Sequence, residues 1–227
     1  SPKSALSMFK QRFSNKNDLS SINDKIEEVF GFCPDIQFIE HHRAHLASAF
    51  FSSPFEESTI VSIDGSGDFS TIMIAVGNGN KIRVIESQDF PVSLGIFYSA
   101  FTQFLGFPYY GDEYKVMGLS PYGKPTFLNE LRKIIWTEKK EILKWDNDFF
   151  DLNNGALSYK NNYPVVSKMF NHKQFEKFFG KTRNSNEELS QTHKDLASSV
   201  QKRTEEIIFE VLERSFKQTG ITNLCIA

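Results

Sequence analysis

The sequence predicts an α/β fold: an antiparallel strand meander with flanking helices and an inserted subdomain. Two observations carry this. Three strand-like runs, "STIVSID" (58–64), "FSTIMIAV" (69–76) and "KIRVIES" (81–87), follow one another with only glycine-rich turns between them. On either side of them, apolar residues recur at three-to-four spacing, the period of an amphipathic helix.

The elements follow in order. "DLSSINDKIEEVFG" (18–31) predicts a helix capped by Ser20 or Ser21, with Ile22, Ile26, Val29 and Phe30 as its apolar stripe and Gly31 as its stop. "DIQFIE" (35–40) reads as a short strand. From His42 to Phe51 a helix is favoured, since Leu46, Ala49 and Phe50 share one face. The first meander strand runs into Gly65-Ser66-Gly67, read as a turn, and "GNGN" around Asn78-Gly79 is a hairpin signal. "LGIFYSAFTQFLG" (94–106) predicts an aromatic helix ending at Gly106. The texture changes at residue 126: residues 126–186 hold short amphipathic pieces, Asn-rich turns and many Phe, Tyr and Lys residues, and read as an insertion without a chemical signature. A long helix over 187–218, with Leu189, Leu196, Val200, Ile207, Ile208, Val211 and Leu212 apolar, stops at Gly220 and returns the chain to a strand at "NLCIA". The division is therefore 1–125, 126–186 and 187–227.

Composition bounds the function. A chain of 227 residues with 40% hydrophobic and 24% charged residues describes an ordinary globular protein with a sizeable core. The formal charge of −2 gives no electrostatic footprint for nucleic acid or an anionic membrane. No apolar run approaches the length of a membrane span, and no signal-peptide core opens the chain. Cys33 and Cys225 are too few and too distant for a disulfide framework. A cytoplasmic protein is expected. The 23 phenylalanines point to broad aromatic packing or an exposed seam. The opening Ser1-Pro2-Lys3 and the strand-like "TNLCIA" at the other end read as a fragment.

Three stretches carry candidate chemistry. In "EHHRAHLASAFFSSPF" (40–55), His41 and His45 lie one helical turn apart, the spacing two imidazoles need to share a metal ion. His42 and His45 offer the same at three apart, so spacing alone leaves the pair open. No glutamate stands between paired histidines as zinc-protease chemistry requires. Asp64 ends a strand in "SIDGSGD", where Gly65 and Gly67 are expected to free the backbone and let amides of Gly65, Ser66 and Gly67 approach phosphate oxygens. Two imidazoles and this carboxylate would suit iron, zinc or manganese. "YYGDEYKVMGLSPYGKP" (109–125) brings Glu113 and Lys115 into a glycine-punctuated segment.

These motifs, in this order and spacing with "SLGIFYSAFTQFLGF" (93–107), resemble the NodU/CmcH-type carbamoyltransferase family. The resemblance is dense over 36–125 and extends weakly to "NLCIA". It implies an N-terminal domain similar to the Kae1/TsaD enzymes, within the ASKHA superfamily of actin-like and Hsp70 proteins with ribonuclease-H-like halves. It further implies that a YrdC-like domain elsewhere in the full-length chain makes carbamoyl adenylate from carbamoyl phosphate and ATP. The Kae1-like domain then passes the carbamoyl group to a small-molecule hydroxyl. The family's metal, commonly Fe2+ or another divalent ion, is held by an HxxxH pair, an aspartate opening the phosphate loop and a later aspartate. The first three match His41, His45 and Asp64, which chooses His41 over His42. Asp68 and Glu113 become candidates for proton handling or positioning at the acceptor hydroxyl, Lys115 for countering negative charge, and Gly95 and Tyr98 for the carbamoyl pocket. The family's first phosphate loop, adenosine loop, fourth ligand and YrdC-like domain have no counterpart in these residues, so the excerpt alone is expected to be inactive and to self-associate, forming homo-oligomers, through uncovered sheet edge. Two other classes stay open: a non-catalytic nucleotide-binding module, and threonylcarbamoyl transfer to tRNA, against which the net charge argues.

Overall fold

The computed structural model describes residues 22–152, 157–160 and 163–227. In chain order the helices and strands are α1 (Ile22–Phe30), α2 (His41–Phe51), β1 (Glu57–Gly67), β2 (Ser70–Asn78), β3 (Lys81–Asp89), α3 (Leu94–Phe104), α4 (Glu113–Leu119), α5 (Leu128–Ile134), β4 (Ile135–Thr137), β5 (Leu143–Trp145), β6 (Leu157–Lys160), β7 (Tyr163–Val166), α6 (His172–Phe179), α7 (Gln191–Thr219) and β8 (Leu224–Ile226).

The predicted meander forms. β1 pairs with β2 and β2 with β3, all antiparallel, and the β2–β3 turn uses Gly79 at a positive φ of 58°. The chain then returns along α7 and adds β8 parallel to β1 on its other side, giving the order β3-β2-β1-β8. Residues 58–62 of β1 are all buried rather than alternating, because both faces of the sheet are covered. On one face Leu46 and Phe50 of α2 pack on Ile60, Met73, Ala75 and Cys225. On the other, Val61, Ile72 and Ile74 join a larger core with α3 and α7. The mixed sheet between helices is an α/β architecture.

Caps explain where the helices begin and end. Ser93 caps α3 by accepting the Ile96 amide, and Ser190 and His193 form a reciprocal box at the start of α7. Gly220, left-handed at φ 68°, ends α7 where the sequence placed its stop. The phenylalanines divide: among the described residues eight are buried and nine are exposed. Phe101 and Phe104 of α3 meet Phe175 and Phe179 of α6, with Phe101 and Phe175 centroids 4.7 Å apart. The 126–186 segment thereby shares one continuous core with α3.

Three expectations need correction. Residues 35–40 form no strand. An apolar run becomes a strand only where a sheet edge receives its backbone groups, and here Phe38 and Ile39 stay exposed. β1 does not turn at Gly65-Ser66-Gly67; it continues to Gly67 across a register irregularity, and the turn is made by Asp68 and Phe69. Leu189 precedes the long helix and is exposed, because the helix starts only after its Ser190 cap. The proposed caps Ser20 and Ser21 of α1 lie outside the described residues, and no residue of α1 is buried. Cys33 and Cys225 are both free thiols.

Candidate metal centre

The start of α2 is tied down residue by residue. The Glu40 carboxylate accepts the amides of His42 and Arg43 at 3.1 and 2.8 Å, and its carbonyl accepts that of Ala44. His42 is fully buried between β1 and β2: its Nε2 lies 3.0 Å from the Ser70 carbonyl oxygen and its Nδ1 2.8 Å from Ser62 Oγ. A carbonyl can only accept, so Nε2 carries the proton and Nδ1 takes the serine hydroxyl. Burial is the leading influence on His42 and lowers its pKa, against the raising pull of the Ser70 carbonyl. His42 is therefore an anchoring residue, and its nitrogens are already spent.

His41 and His45 turn the other way, toward the end of β1. His41 Nε2 stands 2.7 Å from Asp64 Oδ2 and 3.0 Å from His45 Nε2, and His45 Nε2 is 3.6 Å from the same carboxylate oxygen. All three side chains are about two-fifths exposed (40–41%), so the group opens to the surface. Burial pushes the Asp64 carboxyl up, but hydrogen bonds from His41 and from the Gly65 amide outweigh it and hold the pKa below the ordinary value.

The donor set fits a divalent ion. Ligands about 2.1 Å from a metal stand about 3.0 Å apart in an octahedron and about 3.4 Å apart in a tetrahedron. The three donor separations here, 2.7, 3.0 and 3.6 Å, bracket both values. Two imidazole nitrogens with one carboxylate oxygen suit iron, zinc or manganese.

The remaining candidates divide. Gly95, in the first turn of α3, packs so closely on Gly65 that an added Cβ would stand 2.6 Å from the Gly65 Cα. Gly67 has even less room, since a Cβ there would fall 1.9 Å from His41 Cδ2. Neither Gly65 nor Gly67 takes a positive φ, so what Gly67 supplies is space for an imidazole. Gly65 and Ser66 border the group, with Ser66 exposed. Asp68 accepts the backbone N–H of His41. The other three are engaged with other partners. Tyr98 donates to Gln201 on α7, and burial, then Glu113 and Glu205, pushes its hydroxyl pKa upward. Glu113 accepts the Ser99 hydroxyl. Lys115 is paired with buried Asp112 at 2.7 Å, a contact that raises its pKa, so its charge is already matched.

Ser93 escaped the sequence reading. Its hydroxyl lies 2.6 Å from the Gly65 carbonyl and 3.1 Å from that of Asp64 while capping α3, so it couples α3 to the Asp64 end of β1. A serine directly before an aromatic helical run was the available signal.

Comparison with known proteins gives the chain a family. A family model described as carbamoyltransferase N-terminus matches residues 8–227. An uncharacterized protein of Synechocystis sp., sll1178, is 36% identical over 195 residues, which cover 86% of this chain and 30% of that protein. Nodulation protein NolNO of Sinorhizobium fredii is 34% identical over 195 residues, 85% of this chain and 25% of its own length. Nodulation protein NolO of Bradyrhizobium diazoefficiens is 34% identical over 189 residues, 83% of this chain and 30% of its own length. The chain thus spans 25–30% of the length of these relatives. By this match over nearly its whole length, the chain belongs to the carbamoyltransferase N-terminus family.

Proposed function

We propose that this chain forms the metal-bearing wall of an O-carbamoyltransferase. The full protein would move a carbamoyl group from carbamoyl adenylate, made from carbamoyl phosphate and ATP by a YrdC-like domain, to a hydroxyl of a small-molecule acceptor. The observation that carries the reading is the convergence of His41, His45 and Asp64 at the open end of β1 in a chain of this family. The C-terminal end of a sheet strand is where α/β proteins receive their ligands.

Each residue then has a task. His41 and His45 present Nε2, and Asp64 presents the carboxylate oxygen not engaged by the Gly65 amide. A divalent ion such as Fe2+ at this point, when bound, supplies Lewis acidity toward an oxygen of the adenylate. The backbone at Gly65 and Ser66 forms the rim where phosphate oxygens would be received. Ser93 and Gly95 hold that rim against α3. The meander order with a parallel fourth strand supports an ASKHA, ribonuclease-H-like half, with residues 126–186 as an insertion docked on α3.

The test uses the full-length protein with two readouts. Pyrophosphate release from carbamoyl phosphate and ATP reports adenylate formation, and carbamoyl incorporation into a panel of sugar and antibiotic hydroxyls reports transfer. His41→Ala and Asp64→Ala should keep the first and reduce the second at least about 100-fold. Full transfer in either variant would overturn the proposal.

A further inference from the structure

The β1–β2 turn touches His41 twice. Asp68 sits at its apex as the only non-glycine residue at positive φ (50°) among the described residues, and its Oδ2 accepts the His41 amide at 2.9 Å. One residue earlier, Gly67 lies directly under the His41 imidazole. The next three amides of α2 are all satisfied by Glu40, which leads directly into the helix and moves with it. The Asp68 bond is different in kind, because it joins the first residue of the helix to the sheet 27 positions further on. His42 pins the same helix to β1 and β2 one position along. With His42 as pivot, the Asp68 contact sets how far His41 stands from Asp64.

We propose, resting on the metal reading above, that Asp68 is a positioning residue: its carboxylate fixes His41 for metal binding by capping the first turn of α2, and it does not carry protons at the acceptor. The left-handed turn brings the carboxylate back toward α2, and Asp is among the few side chains that tolerate that conformation. An anionic acceptor at a helix N-terminus also meets the favourable end of the helix dipole. The need is for an acceptor oxygen at this place, which Asn supplies equally well.

The experiment compares Asp68→Asn and Asp68→Gly in the full-length protein. Glycine keeps the turn conformation and removes the acceptor; asparagine keeps both and removes the charge. Cobalt(II) binding, followed by its visible absorption, should weaken at least about tenfold in Asp68→Gly and stay within about threefold in Asp68→Asn. Amide hydrogen exchange of a peptide spanning residues 39–46 should quicken in the glycine variant only. Unchanged exchange and cobalt binding in Asp68→Gly would overturn the proposal. So would equal loss in both variants, which would show that the charge rather than the hydrogen bond is used. If the unaltered protein takes up no cobalt, the metal reading fails, and exchange alone decides whether Asp68 positions His41.

Discussion

Gly65 and Gly67 look equivalent in "DGSGD" and are not. A Cβ at Gly65 would meet nothing within 4 Å, whereas one at Gly67 would overlap the His41 ring. Gly67→Ala should therefore displace His41 and cut metal binding by an order of magnitude or more, while Gly65→Ala leaves it near its original value; metal titration of the two full-length variants checks this. Equal effects would mean that both glycines serve ligand approach. At this scale helical spacing pointed to His45 with either His41 or His42, and the family resemblance was needed to choose His41; Asp64 was singled out as a strand end, although β1 runs on to Gly67. The role of His42 was not legible. It depends on Ser62 and Ser70, brought beneath it only when the sheet forms. Lys115 is matched by Asp112, three positions away, a pairing that the sequence reading did not draw.

Eight of the eleven residues of α3 are buried. Phe101 is fully buried and meets Phe97, Phe175 and Phe179. Phe101→Ala should cost about 3–5 kcal/mol, read by denaturant unfolding, because the hole between α3 and α6 cannot close. β3 and α7 are joined by a charged contact: Arg214 Nε donates to Glu86 at 2.8 Å, its Nη2 reaches the same carboxylate, and Gln218 adds a bond at 2.6 Å. Burial raises the Glu86 pKa, yet the bonds from Arg214 and Gln218 prevail and lower it. A lowered folded-state pKa gives stability that is complete above the unfolded carboxylate value and lost as pH falls through the folded one. Acid unfolding of Glu86→Gln should accordingly show a smaller loss of stability below about pH 4.5, with a cost of about 1–3 kcal/mol at neutral pH. A parallel acid profile would remove Glu86 from the account. Strands and helices with strong periodicity were legible in advance. Residues 35–40 were misread because apolar content does not reveal whether a neighbouring edge exists.

At the scale of the whole molecule, a four-stranded mixed sheet has α2 on one face and α3 and α7 on the other, and β4–β5 and β6–β7 form separate two-stranded sheets. This arrangement puts the start of α2, the end of β1 and the start of α3 at one end of the sheet, and the candidate donors come from two of those three elements. The α/β class was readable from the order of the elements, whereas the choice of His41 over His42 came from the resemblance of the ordered motifs to a known family. The packing of 126–186 onto α3 was not readable, since it rests on contacts between phenylalanines distant in sequence. Among the described residues no helix is long and apolar enough to cross a membrane. A metal held by His41, His45 and Asp64 is tested most directly by metal-edge X-ray absorption on the full-length protein loaded with one equivalent of Fe2+. The spectrum should show two imidazole nitrogens and at least one carboxylate oxygen at about 2.0–2.2 Å, and the imidazole signal should collapse in His41→Ala. An iron shell free of imidazole, or one unchanged by His41→Ala, would contradict it.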